Sequence, residues 1–326
     1  MTTYIGTATS RVDGRAKVTG AAKYAGEFNT TGLAHASIVT STIAKGRVAR
    51  IDASEALSVA GVIDVLTHQN RPRMASEDSA YKDDLAPEGS PFRPLYDDRI
   101  WFSGQPVALV VAEELEIARF AVSLVRVEYN VEAHVTDLHR QRDMAFALQP
   151  GEDPFGPQKP RGTPEPAFAA AETRHRAEYY APIEHHNPME LYASTVVFEP
   201  DGKLTVYDKT QGVQNVQRYL CSVLEMEPED VRVISPFVGG AFGSGLRPQY
   251  NVVSAALAAR AAALSTPRAD PAANVWARLP ARDDPADRTG RKRRRNTRRD
   301  HSPSDHGDVA IRGLPSARDR LVRPAL

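Results

Sequence analysis

A change of composition near position 264 sets the strongest limit on what this 326-residue chain can fold into. Before it, apolar residues recur at the spacings of strands and helices. Beyond it the text is Arg, Pro, Asp and Ala, and residues 265–326 hold fourteen Arg and one Lys against eight Asp and no Glu. So few apolar side chains bury too little surface to offset the entropy of ordering, so a disordered basic tail is expected. The whole chain is neutral, with 41 basic and 41 acidic residues, yet residues 1–264 carry 26 basic and 33 acidic groups. An acidic folded part speaks against nucleic-acid binding by bulk charge. Its length allows two domains, each with its own core.

Periodicity supplies an α/β (α+β) pattern. Runs at 36–40 and 62–66 read as strands, with a short helix 54–57 between them that Ser54 could cap. Residues 69–100 are polar and rich in Pro and acids, and read as a long excursion or interface loop. Residues 106–112 are a near-continuous apolar strand, as expected when both faces are covered. A helix over 113–126 and a strand from Val127 complete a βαβ-like unit. The Pro/Gly-rich stretch 145–165 reads as a linker. Beyond it, 191–200 and 203–210 flank Asp201-Gly202, a hairpin signal. A helix over 213–224, a strand at 231–234 and an Ala-rich helix over 250–264 follow. The divisions are therefore 1–144, the linker 145–165, 166–264 and the tail 265–326.

A single cysteine, Cys221, excludes an intramolecular disulfide, a thiolate zinc cluster and an iron–sulfur site held by this chain alone. The N-terminus lacks the apolar core of a secretory signal, and no apolar run is long enough to cross a bilayer. A cytoplasmic protein is expected, with periplasmic location by co-export with a partner as the alternative.

Between the strand at 231–234 and the last helix lies Gly239-Gly240-Ala241-Phe242-Gly243-Ser244-Gly245. Strand, Gly-rich turn, helix is a geometry in which backbone N–H groups can receive anionic oxygens, and Phe242 could fix the loop by burying its ring. No Gly-Lys-Ser/Thr follows, so it is not a P-loop, and it is a poor dinucleotide fingerprint. On pattern alone, a structural turn without ligand remains an equal reading.

Four stretches, in order, resemble the molybdopterin-binding large subunit of the xanthine oxidase family of molybdenum hydroxylases. Arg11-Val12-Asp13-Gly14-Arg15-Ala16-Lys17-Val18-Thr19-Gly20 looks like that subunit's entry sequence. Gly104-Gln105-Pro106-Val107-Ala108 looks like its hammerhead α/β domain. Glu184-His185-His186-Asn187-Pro188-Met189-Glu190 resembles the start of its cofactor domain. Thr210-Gln211 precedes the GGxFG-like loop with 31 positions from Gln211 to Phe242, the family's own separation. The resemblance covers roughly residues 4–264. It implies a hammerhead domain followed by an incomplete molybdopterin-binding domain, a molybdenum–molybdopterin cofactor (the cytosine dinucleotide form being one option), and [2Fe-2S] and FAD subunits as partners. It implies hydroxylation of an aldehyde, or of an N-heterocycle, with water as oxygen source. Gln211, Gly240, Phe242 and Gly243 would be the cofactor-facing residues, the Gln211 amide and the Gly243 N–H donating to an oxygen ligand of the metal while Phe242 lines the pocket. Members that hydroxylate purines place a Glu three positions after the second motif glycine; Leu246 stands there, which points to an aldehyde or another less polar substrate.

The family's glutamate base has no counterpart in these 326 residues, so no catalytic residue is assigned and little turnover is expected from this chain. A non-catalytic docking fragment is the alternative, and nucleic-acid binding by the Arg291–Arg299 cluster a weaker one. The tail's composition suits GC-rich text read out of frame, so a frameshift after about 264 is expected. His185 and His186, adjacent on an extended segment, point to opposite faces and read as structural rather than as ligands. Cys221 reads as a small buried hydrophobe, and Asp83-Asp84 and Asp97-Asp98 as solvated loop acids.

Overall fold

A computed structural model of the chain describes residues 5–29, 32–82, 92–146, 162–182, 184–265 and 275–279. Its elements in chain order begin with α1 (Gly14–Val18), β1 (Leu33–Thr40), β2 (Gly46–Asp52), α2 (Ser54–Leu57), β3 (Val62–Thr67) and β4 (Arg99–Ile100). Then come β5 (Pro106–Ala112), α3 (Leu115–Val122), β6 (Arg126–Val131) and α4 (Pro164–Ala170). The last are β7 (Ser194–Phe198), β8 (Leu204–Asp208), α5 (Val213–Leu224), β9 (Val231–Ile234), α6 (Tyr250–Ser265) and β10 (Val275–Leu279). Two compact units result: Met1–Met144 with His185–Arg282, and Ala145–Glu184 with Asp283–Leu326. In the second, the described residues are 145–146, 162–182 and 184, and there the Arg176 guanidinium sits 4.9 Å from the Phe168 ring.

The first unit is built on a seven-stranded sheet ordered β3-β5-β1-β10-β7-β8-β9, beside a three-stranded sheet β4-β2-β6. β5 is buried along its whole length, which is why its sequence is apolar without alternation. Leu109 and Val111 enter one core, Ala108 and Val110 the other. The expected βαβ unit is corrected here. β5 pairs antiparallel with β1 and β3, while β6 leaves for the small sheet and pairs antiparallel with β2. α3 joins them by laying Ala118 and Ala121 against the large sheet. Strand, helix and strand were legible; that the two strands serve different sheets depends on β2. Its sequence GRVARID, where only Gly46 and Val48 are buried and Arg47, Ala49 and Arg50 are exposed, carries no strong strand signal.

The larger core lies between the sheet and the helices α5 and α6. α5 buries Val216, Tyr219, Leu220, Val223 and Leu224, each worth about 1.5–3 kcal/mol if fully removed from water. α6 is buried at every position from Asn251 to Ala259. A helix enclosed on all sides needs small side chains to approach its neighbours, and alanines supply them. Asn251 sits at its start and donates to Ser194 Oγ on β7 at 2.7 Å.

The 69–100 segment is not a free interface loop where it is described. Met74, Ala75, Tyr81 and Leu95 enter the core of α5 and α6, the Ala75 N–H donates to the Val223 carbonyl at 2.9 Å, and Arg71 Nε donates to the Leu95 carbonyl at 2.6 Å. The helix cap is also reassigned: Asp52 Oδ1 accepts from both the Ser54 N–H and hydroxyl, so Asp52, not Ser54, closes the start of α2. The hairpin forms as expected, Phe198 opposite Leu204 with Gly202 at φ +90°. In the tail, Val275–Leu279 is a strand, parallel to β1 and antiparallel to β7. Its remaining residues, including Arg291–Arg299, lie outside the described ones, as do Asp83 and Asp84.

Candidate functional site: a glycine loop over a buried charge cluster

β9 delivers the chain to the 239–245 loop, and the end of β8 delivers Thr210 and Gln211 to its side. The two are joined by backbone: the Gln211 N–H donates to the Gly245 carbonyl at 2.8 Å, and Thr210 Oγ1 reaches the same oxygen at 3.1 Å. A carbon added to Gly245 would lie 3.5 Å from both Gln211 Cγ and Oε1, so the glutamine stem rests against the loop while its residue is exposed. The structure thus places Gln211 against Gly245, at the end of the loop that carries Gly240, Phe242 and Gly243.

Backbone conformation sets the course of the loop. Gly240, Phe242 and Gly243 have φ of +95°, +53° and +92°. Among the described residues, none of the N–H groups of Gly240, Ala241, Phe242 and Gly243 has a protein acceptor, and a carbon built on Gly243 meets nothing within 4 Å. Successive N–H donors in such a turn make an anion-receiving nest. The Phe242 ring is 74% exposed, which corrects the expectation that it fixes the loop by burial. Leu246, just past the loop, is 42% exposed.

What does fix the loop is a set of anchors that sequence reading missed. Glu190 holds Gly239 twice: its N–H donates to the Gly239 carbonyl at 3.1 Å, and its Oε2 accepts the Gly239 N–H at 2.6 Å. The Tyr192 hydroxyl donates to Ser244 Oγ, which in turn donates to the Ala241 carbonyl at 2.6 Å. Asn215 Nδ2 reaches the Leu246 carbonyl at 3.0 Å. Beneath lies Asp208, whose Oδ1 accepts from Ser194 Oγ at 2.5 Å, and next to it Lys209, whose ammonium sits 3.9 Å from the Tyr192 ring centroid. One signal was available: Leu204, Val206 and Asp208 share the buried face of an alternating strand, so a carboxylate was due to be buried at its end.

Burial pushes the Asp208 carboxyl up to about 6, against the opposing bond from Ser194. Burial likewise raises Glu190, with the Gly239 N–H and Lys209 acting against it, and lowers Lys209, opposed by Glu190 and Asp208. For Asp208 the sign follows directly. A carboxyl whose folded pKa exceeds its ordinary value, near 4, binds more protons folded than unfolded between those values. Asp208 should therefore make stability fall as pH rises from about 4 through about 6, levelling off beyond. Asp208→Asn should flatten that segment in thermal melts; an unchanged slope would show that another group carries it.

Other candidates are settled by their surroundings. His185 and His186 are exposed. Asp98 pairs with Arg47 at 2.6 Å, and Asp97 accepts the Arg99 N–H. Cys221 is half-buried against the core, and burial pushes its thiol up. Among the described residues no group of three His, Cys, Asp or Glu is placed to hold a metal ion, and no helix is long and apolar enough to cross a membrane.

Comparison with known proteins identifies a family for the chain. The family model "Aldehyde oxidase and xanthine dehydrogenase, a/b hammerhead domain" matches residues 19–133, and "Molybdopterin cofactor-binding domain" matches 150–266. Over this span the chain belongs to the molybdopterin-binding large subunits of the molybdenum hydroxylase family. The aldehyde oxidoreductase molybdenum-binding subunit PaoC of Escherichia coli K12 is 35% identical over 259 residues, covering 79% of this chain and 33% of that protein. The putative xanthine dehydrogenase molybdenum-binding subunit XdhA of the same strain is 30% identical over 238 residues, 72% of this chain and 32% of its own length. Quinoline 2-oxidoreductase from Pseudomonas putida 86 shares the fold, with TM-score 0.68 at 21% identity over 86% of this chain and 35% of that one. The chain spans about a third of the length of the curated relatives it matches.

Proposed function

We propose that the 239–245 loop and Gln211 form one wall of a pocket for a molybdenum–molybdopterin cofactor, in an oxidoreductase that hydroxylates small aldehydes with water as oxygen source. The observation that carries this is the run of four N–H donors, from Gly240 to Gly243, without protein acceptors beside an exposed amide. Such a donor set suits anionic or oxo oxygens, so the residues present fit the group. When bound, the cofactor supplies the redox chemistry. The chain's own part is to orient it: the Gln211 amide and the Gly243 N–H donate hydrogen bonds, and the exposed Phe242 ring and Leu246 give the substrate an apolar rim. Leu246 offers no charge to hold a purine, which favours an aldehyde; PaoC is named for aldehyde oxidation and XdhA for xanthine.

The division keeps a hammerhead domain over 1–144, a linker over 145–165 and the first part of the cofactor domain over 166–264; the hammerhead match at 19–133 suits the first, while the cofactor-domain match begins at 150, within the linker. Partner subunits carrying iron–sulfur clusters and FAD belong to the same proposal, as do the cytosine dinucleotide form and a cytoplasmic place. The composition of 265–326 supports an out-of-frame reading, which the nucleotide sequence from the Leu264 codon onward tests directly. The function itself is tested by metal and pterin analysis of the 326-residue chain, expressed with an intact molybdenum-cofactor pathway, beside a dye-coupled aldehyde assay. Retained pterin without turnover is expected. Absence of pterin would sink the pocket, and sustained aldehyde oxidation would sink the inactivity.

A further inference from the structure

Two buried polar atoms under the loop lack a hydrogen-bond partner among the described residues: Glu190 Oε1 and Lys209 Nζ. A lysine at a strand end ordinarily carries its ammonium to water along its flexible stem. Lys209 is instead 1% exposed, turned inward onto the Tyr192 ring. The charged and titratable groups that face this cluster are Glu190 before β7, Asp208 at the end of β8, Tyr192, and Glu27 of the 25–27 turn. Two carboxylates in one buried region repel each other, and the Lys209 charge acts on both in the opposite sense.

We propose that Lys209 is the positioning cation of the glycine loop: it allows Glu190 to stay ionised beside Asp208, and so keeps the Glu190–Gly239 clamp that holds the loop toward Gln211. An ionised acceptor binds an N–H more strongly than a neutral one, and the 2.6 Å contact to Gly239 is the bond at stake. The same cluster reaches α6, because Asp208 accepts from Ser194 Oγ, which accepts from Asn251. The device acts on the loop whatever the loop receives.

The test compares the full chain with Lys209→Met, which keeps the stem and removes the charge, and with the double variant Lys209→Met/Glu190→Gln. Gln keeps an oxygen for the Gly239 N–H and removes the second carboxylate. Thermal midpoints are measured between pH 6 and 8, and hydrogen–deuterium exchange of the loop peptide at matched pH. In the parent chain a shallow fall confined to the acid end of this range is expected, as Asp208 finishes titrating from about 6. In Lys209→Met the unbalanced carboxylates keep folded pKa values above their unfolded ones, so stability falls as pH rises from 6 to 8. Loop exchange at pH 8 is expected to be about tenfold faster, the factor that one pKa unit carries. The double variant restores most of both. Folding of Lys209→Met at pH 6 but not at pH 8 supports the assignment. A loss independent of pH and unrelieved by Glu190→Gln, or failure of both variants to fold at either pH, assigns Lys209 to packing alone and overturns it.

Discussion

Ala277→Pro is expected to break the seven-stranded sheet at its middle and lower the thermal midpoint by about 10 °C. Among the described residues, β10 is the strand that links β3-β5-β1 on one side to β7-β8-β9 on the other. Ala277 stands opposite Ala34 of β1 and Val196 of β7. Proline there has no N–H to give the ladder, leaves a buried carbonyl without its donor, and its ring pushes the neighbouring strand away. Together these cost on the order of 3 kcal/mol or more, and a chain of this size loses roughly 2–4 °C per kcal/mol. β1 and β7 would then become open edges, and the segment between them prone to proteolysis. Thermal melting with limited proteolysis reads both effects. A variant melting like the parent would mean that 275–279 does not occupy the sheet.

Gly239→Ala is expected to abolish the loop's anchoring while leaving the sheet intact. The position needs glycine for closeness: an added carbon would lie 2.8 Å from Glu190 Cβ and 3.3 Å from Tyr24 Cε1. Neither neighbour can withdraw freely, because Glu190 is bonded to Gly239 through both its N–H and its carboxylate. The loop must move away, so the donors from Gly240 to Gly243 lose their common aim. The strain costs about 1–3 kcal/mol, and pterin retention should fall at least about tenfold, as expected when roughly 1.4 kcal/mol of binding is lost. Circular dichroism and metal analysis of the same preparations separate the two consequences. Full pterin retention in this variant would show that the loop does not hold the cofactor.

Elements whose periodicity is local were legible in the chain itself. β5, β9 and α5 run over the residues their apolar spacing marks, and α6 extends one residue further. The site was partly legible too, because Gln211 and the 239–245 loop are each carried by a short motif at a characteristic separation. Other features depended on neighbours that periodicity does not encode. β2 alternates charged and apolar residues too weakly to stand out, yet it decides where β6 goes. Residues 69–82 look polar but close over α5 with Met74, Ala75 and Tyr81. Phe242 looks like a core residue and is exposed, at a positive φ that its residue type does not announce.

By itself, then, the sequence determined the family, the βα order and the two motifs that meet at the loop, since each is written in adjacent residues or a fixed spacing. Only the tertiary structure decided which strands share a sheet, that β10 joins its two sides, and that Glu190, Asp208 and Lys209 lie buried together beneath the glycines. Those outcomes rest on contacts between segments tens of residues apart, where burial, rather than local propensity, sets both the packing and the charge.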